Sequence, residues 1–336
     1  MTLARQSGPK SADTTEMETV SETWAASVLP RRKPGAHKWG VGGVVIVAGS
    51  PPFAGAASLC CAGAGRSGAG IISAALPRSI APIVVGLVPE VTVVFLPEGE
   101  SNSVASRAGE AILEKMERSA AMVIGPGLGT DAAATALLGT LFGSSRVRGG
   151  IGFGTRATDQ GEGASQGSIA TAGKPVVVDA DALNWLSEQE QWWDRVPPDL
   201  LVLTPHAGEM ARLLKVEIEE VLANPERVAV ESAGHWRQTV VLKGGRTIVA
   251  SSEGRVVAVD APPALATAGS GDVLSGSIGA LLAQGMSTSD AAALAVYIGS
   301  RAADRLARRF GTLGVIASDL PAAIAEELRV LEELGV

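Results

Sequence analysis

Short runs of β-branched and other apolar residues alternate along the chain with longer stretches rich in alanine, leucine and charge. The runs at 43–49, 71–76, 91–96 and 121–125 show little of the apolar–polar alternation of a half-exposed strand. Unbroken apolar runs of this length, bounded by glycine, are expected of strands buried on both faces. Helices are predicted between them at 56–67, 104–118 and 131–141, the first built almost wholly of small residues, as close packing against a sheet requires. The rhythm resumes with strands at 174–181, 201–206 and 239–245, and 247–250 with 256–259 reads as a hairpin over Glu253-Gly254. Helices at 273–284, 288–308 and 318–334 complete the pattern. Strand–helix alternation of this kind predicts an α/β three-layer sandwich, a mostly parallel central sheet with helices on both faces.

Two segments depart from the rhythm. Residues 1–33 are rich in Ser, Thr, Glu and Lys and are expected to be a disordered tail, since they hold too little apolar surface to offset the entropy of ordering. Residues 144–173, almost without aliphatic groups, read as a flexible insertion in a single domain spanning 34–334.

Composition narrows the function. With 336 residues, 46% hydrophobic and 19% charged, the chain can bury one large core. A net charge of -7 argues against a nucleic-acid surface, which needs clustered Lys and Arg. Cys60 and Cys61 are adjacent, which suits neither an ordinary disulfide nor a zinc site, so buried thiols in a reducing compartment, the cytoplasm, are expected. The uncharged run at 39–65 is long enough for a membrane but holds Pro51-Pro52 and many glycines, so no membrane contact is expected.

Five loops carry the candidate chemistry, four of them directly after buried strands, where open parallel sheets form their ligand crevice. In Gly269-Ser270-Gly271-Asp272, glycine allows backbone N–H groups to converge on an anion at a helix start, with an acid beside them. That acid either caps the helix or takes a proton from a group about to carry phosphate. Gly125-Pro126-Gly127-Leu128-Gly129 is either a phosphate cradle or a tight turn, and it has neither a dinucleotide fingerprint nor a P-loop. Asp179 and Asp181 are candidates to hold magnesium through water, and Asp181 equally to cap the helix that follows. His206 suits either substrate recognition or a helix cap with Glu209 in the capping-box position. Lys243, beside Gly244-Gly245, is either a nucleotide-phosphate contact or a solvated lysine. His37 and His235 read as surface or packing residues.

These motifs, in order, resemble the ADP- or ATP-dependent NAD(P)H-hydrate dehydratases, a branch of the ribokinase-like superfamily. The resemblance runs from Leu29 to Ala325. It is carried by Leu29-Pro-Arg-Arg-Lys-Pro-Gly-Ala-His-Lys38, Val45-Ile-Val-Ala-Gly-Ser50, Arg66-Ser-Gly-Ala-Gly70, Val123-Ile-Gly-Pro-Gly-Leu-Gly129 and Val178-Asp-Ala-Asp-Ala-Leu-Asn184. Leu203-Thr-Pro-His-Ala-Gly-Glu209, Leu242-Lys-Gly244, Leu265-Ala-Thr-Ala-Gly-Ser-Gly-Asp-Val-Leu274 and Ala317-Ser-Asp-Leu320 extend it.

The resemblance implies a ribokinase-like sandwich and a metabolite-repair lyase that dehydrates hydrated NADH and NADPH at the expense of ADP or ATP, with Mg2+. It implies that Asp272 is the base and that Gly269, Ser270 and Gly271 form the anion hole. It places Ala69, Gly127, Gly129, His206 and Asp272 around the hydrated dinucleotide, and Lys243, Gly244, Gly245, Arg246, Thr247 and Gly271 around the adenine nucleotide. It further implies a homo-oligomer, a tetramer, paired functionally with a separate epimerase, since no epimerase domain is read in front. A ribokinase-like kinase of hydroxymethylpyrimidine or hydroxyethylthiazole type is the alternative. The chain differs from the family pattern at Ala261-Pro262-Pro263-Ala264, where Asn-Pro-Gly is usual, and at Lys38-Trp-Gly-Val-Gly42, where Lys-Gly-Asp-x-Gly is usual. It differs again at Ala268-Gly-Ser-Gly-Asp272, where Gly-Gly-Thr-Gly-Asp is usual.

Overall fold

The structure, a computed structural model, describes residues 18–96, 102–143 and 168–335. Its strands are β1 (Glu18–Thr19), β2 (Gly43–Val47), β3 (Ile71–Pro77), β4 (Val91–Leu96), β5 (Ala121–Ile124), β6 (Val176–Val178), β7 (Leu201–Leu203), β8 (Thr239–Leu242), β9 (Arg246–Ala250) and β10 (Val256–Asp260). They form one sheet in the order β1-β10-β9-β8-β7-β6-β5-β2-β3-β4. From β4 through to β8 every pairing is parallel, β9 and β10 add antiparallel, and β1 runs parallel to β10.

The unbroken apolar runs feed two cores. In β2, Val44 and Ile46 face one helical layer while Val45 and Val47 face the other, and all four are fully buried. The first layer contains the helices Ala54–Arg66, Ser270–Ala283 and Thr288–Phe310, the second Asn102–Glu117, Ala132–Leu141 and Asp181–Ser187. The small residues have a specific use in the first layer. A Cβ added at Gly276 would lie 2.0 Å from the Cys60 carbonyl oxygen, so Ser270–Ala283 and Ala54–Arg66 cross with their backbones in contact. That contact fixes the start of Ser270–Ala283, and Asp272 with it, over the sheet. Cys60 and Cys61 sit inside the crossing as buried free thiols. Burial pushes both thiols up, Cys61 to about 12.

Two expectations are corrected. The tail expected to be disordered through residue 33 is structured from Glu18: β1 pairs with β10, and helix Glu22–Val28 is capped by Ser21, whose Oγ accepts from the Trp24 N–H at 3.1 Å. Ala25 and Ala26 are buried, so docking onto the core supplies the apolar contact that local composition does not show. Residues 1–17 lie outside the described residues. Of the expected insertion at 144–173, residues 144–167 lie outside the described residues, whereas Ile169–Ala172 is a short helix capped reciprocally by Ser168 and Thr171. Among the described residues no helix is long and apolar enough to cross a membrane.

Candidate active site

The loops after β5, β6, β7 and β8 converge at one edge of the sheet, and the start of helix Ser270–Ala283 enters the same place. Gly269 forms the N-cap with φ +91°, a conformation that L side chains rarely adopt. A Cβ there would also stand 2.4 Å from Leu59 Cδ1. The Ser270 hydroxyl is turned inward, within 3.0 Å of both the Leu265 and Thr267 carbonyl oxygens, and holds the loop closed. Among the described residues, the N–H groups of Gly271 and Asp272 have no acceptor in the protein, and the first intrahelical bond is from the Val273 N–H to the Gly269 carbonyl. Two orphan donors at a helix start form an anion hole.

Three acids and a lysine surround that turn. Asp179, 1% exposed, accepts from Lys243 Nζ at 2.9 Å through Oδ1 and from the Ser275 hydroxyl at 2.7 Å through Oδ2. Glu209 Oε2 lies 3.9 Å from the same Nζ. Burial alone would lower the Lys243 pKa, but Asp179 and Glu209 outweigh it and hold the ammonium charged. The Asp272 carboxyl is raised from 3.8 to about 7, first by burial and next by repulsion from Asp179, with Lys243 pulling the other way and Asp181 adding to the rise. An acid titrating near neutrality beside unpaired N–H donors is equipped to take a proton from a nucleophile and leave the resulting anion stabilised.

A cavity of about 390 Å³ opens beside the turn, lined by His206, Lys243, Gly244, Gly245, Thr247, Ser270 and Gly271 and floored by Ala261, Pro262, Leu265 and Val296. It accommodates the expected nucleotide set apart from Arg246, which turns outward to Glu226 and Asp260 at 3.7 and 3.6 Å. Its first-position place in β9 points it off the face that Thr247 lines. The Ala261-Pro262-Pro263-Ala264 departure forms part of this wall, with Ala264 buried in a 3-10 turn.

Gly127 and Gly129 follow β5, at the same end of the sheet as the loops after β6, β7 and β8. A Cβ at Gly127 would press on Phe53 and Ala56 at 2.7 and 2.8 Å, and the Ser50 hydroxyl donates to the Gly127 carbonyl at 2.8 Å. Ser50, the 3-10 turn Pro51–Phe53 and the first turn of helix Ala54–Arg66 therefore form the wall against Gly127. The Gly129 N–H donates to Asp181 Oδ2 at 2.8 Å, so Asp181 ties two loops together rather than capping its own helix, whose N-cap is Ala180. His206 is a cap: Nδ1 accepts from the N–H groups of Gly208 and Glu209 at 3.0 and 3.2 Å while Glu209 accepts from the His206 N–H at 2.8 Å. The ring still borders the cavity, so capping does not withdraw it from that space.

Ala69 is corrected. It lies just before β3, at the opposite edge of the sheet, where Gly68 packs on Gln284 beyond the end of helix Ser270–Ala283. Asp272 stands in the first turn of that helix, whose far end at Ala283 is 11 residues on, about 16 Å at ~1.5 Å each. In a parallel sheet only residues after a strand reach the crevice, and Ala69 precedes one. Among the described residues no three His, Cys, Asp or Glu side chains are gathered to hold a metal, and Asp179, expected near magnesium, has both oxygens taken by Lys243 and Ser275.

A mostly parallel sheet between two layers of helices is the architecture of the ribokinase-like fold class. Solved structures agree: a ribokinase-like protein from Enterococcus faecalis superposes with a TM-score of 0.72 at 24% identity over 96% of this chain and 99% of that one. Within the class, the family described as NAD(P)H-hydrate dehydratase matches residues 44–146 and 150–326, and the chain belongs to that family. The bifunctional NAD(P)H-hydrate repair enzyme Nnr of Moorella thermoacetica is 35% identical over 317 residues, 94% of this chain and 54% of that enzyme. That of Gloeobacter violaceus is 38% identical over 88% of this chain and 51% of its own length. The chain thus spans about half the length of the curated relatives it matches. The ADP/ATP-dependent NAD(P)H-hydrate dehydratase of Bacillus subtilis, crystallised with ATP and Mg2+, has 25% identity and a TM-score of 0.73, covering 93% of this chain and 98% of that one. A hydroxyethylthiazole kinase from Pyrococcus horikoshii, 14% identical with a TM-score of 0.52, shares the fold alone.

Proposed function

We propose that the chain dehydrates hydrated NADH and NADPH back to the reduced dinucleotides, consuming ADP or ATP. The observation that carries this reading is Asp272, an acid of pKa about 7 flanked by unpaired helix N–H groups, at the helix start whose Ser270 and Gly271 line the cavity beside Lys243. Asp272 takes the proton of the ring hydroxyl as its oxygen attacks the terminal phosphorus. The bond from phosphorus to the bridging oxygen breaks, and the shortened nucleotide leaves with that electron pair. The Gly271 and Asp272 N–H groups receive the phosphoryl oxygens, and Lys243 offsets the charge on the donor phosphates. With the new O–P bond made, the ring's original C–O bond breaks, phosphate departs with that electron pair, and a proton lost from the neighbouring ring carbon restores the double bond.

Magnesium fits only in an outer role. With Asp179 engaged, Asp181 would hold it through water while nucleotide phosphates supply direct ligands, in keeping with the few protein carboxylates such ions take. When bound it neutralises phosphate charge. The same reading makes the chain a cytoplasmic homo-oligomer, a tetramer, working with an NAD(P)H-hydrate epimerase activity, and the residues from Glu18 to 334 a single domain. Light scattering on the purified protein tests the tetramer. The activity is tested by adding hydrated NADH, ADP or ATP, and Mg2+ and following near-ultraviolet absorbance. Its return supports dehydration, whereas a stable phosphorylated product would make the protein a kinase.

A further inference from the structure

The buried chain of contacts under the turn gives Asp179 a role that neither metal binding nor base catalysis describes. Its oxygens join two elements that sequence separates widely: Lys243, after β8, and Ser275, one turn beyond Asp272 on its helix. Lys243 is pinned by its backbone as well, its N–H donating to the Pro205 carbonyl at 2.8 Å. A Cβ at Gly271 would lie 3.5 Å from Lys243 Nζ, so the ammonium sits directly against the anion hole. The backbone that delivers Asp179 is unusual. Ala180 adopts φ +48° and ψ -117°, a conformation costly for a residue with a Cβ and kept only where surroundings over-determine it. On one side of Ala180 stands the buried Asp179, and on the other Asp181 is fixed by the Gly129 N–H.

We propose that Asp179 is a positioning residue, a strut that locks Lys243 and the Asp272 helix into one rigid unit, held in place by the strained turn at Ala180. Reaction of a hydroxyl with a bound phosphate demands that base, anion hole and cation hold a fixed geometry. Displacement by about 1 Å can cost on the order of 100-fold in rate. A strut with both oxygens occupied provides that constancy without touching substrate. Loops alone would leave the lysine, on a flexible four-carbon stem, free to follow the phosphates.

The inference rests on the dehydratase reading only where turnover is measured, and a second readout is independent of it. Asp179→Asn keeps the shape and removes the charge. In the turnover assay kcat falls on the order of 10- to 100-fold, while KM for ADP changes less than about threefold and excess Mg2+ does not recover the rate. Recovery by Mg2+ would make Asp179 a metal ligand and overturn the strut. Ala180→Gly relieves the strain, so its melting temperature rises while kcat falls. A rise with unchanged kcat would show that the strain holds nothing of use. Without any turnover assay, Asp179→Asn, Lys243→Met and the double variant form a thermal-melt cycle. Each single change leaves a buried partner unmatched, so the double variant loses less than the sum. Additive losses would overturn the strut. Strong coupling together with an inactive wild type would sink the dehydratase reading and leave the strut standing.

Discussion

Asp272→Asn should raise thermal stability, and by an amount that grows with pH. In the folded protein the carboxyl holds its proton up to about 7, against 3.8 for an unhindered group. Between those values the unfolded chain is already ionised while the folded one is not, so raising pH through this window favours unfolding. The loss is complete above pH 7, and asparagine, which does not ionise, escapes it. At about 1.36 kcal/mol per pKa unit the full amplitude is about 4 kcal/mol, of which about 2.5 kcal/mol falls between pH 5 and pH 8.5. For a chain of this size, with an unfolding entropy of about 0.7 kcal/mol/K, that corresponds to a gain on the order of 3–4 °C in melting temperature over the wild type, appearing as pH rises from 5 to 8.5. Calorimetric melts of both proteins across this range measure the gap. A gap that stays constant with pH would refute the reasoning, because it would mean that Asp272 ionises like an exposed carboxyl.

Other outcomes follow from the same geometry. Gly276→Ala forces a methyl group to within 2.0 Å of the Cys60 carbonyl, parting the two crossed helices, so urea melts should show a loss on the order of 3 kcal/mol. Because Asp272 must be ionised to accept a proton, kcat/KM should rise with pH through about 7 and level off above it; a profile flat from pH 5.5 to 8 would contradict its role as base. Cys60 and Cys61, buried and with raised pKa, should resist a thiol reagent at pH 8 in the native protein and react fully in denaturant.

The sheet was legible because its central strands are buried on both faces, which leaves unbroken apolar runs such as Val44 to Val47. The turn at Gly269 was legible too, since a positive φ beside a helix start calls for glycine in the sequence itself. What could not be read depends on contacts between distant segments. Helix Glu22–Val28 looks polar until Ala25 and Ala26 meet the core. Asp179 lies 64 residues from Lys243 and 96 from Ser275, so nothing local marks it as an ion-pair partner rather than a metal ligand. Ala69 sits among glycines that resemble a ligand loop, but it precedes its strand, whereas the other candidate loops follow theirs. The wall formed by Phe53 and Ala56 against Gly127 arises from strand order, β5 lying next to β2.

The central claim, that Asp272 drives nucleotide-dependent dehydration, is tested most directly by following near-ultraviolet absorbance of hydrated NADH with Mg2+ and either ADP or ATP, for wild type and Asp272→Asn. The account predicts that absorbance returns with the wild type and a nucleotide, and that the folded Asp272→Asn protein is slower by a factor on the order of 100 or more. A folded wild type inactive with both nucleotides, or an Asp272→Asn variant as fast as the wild type, would contradict it.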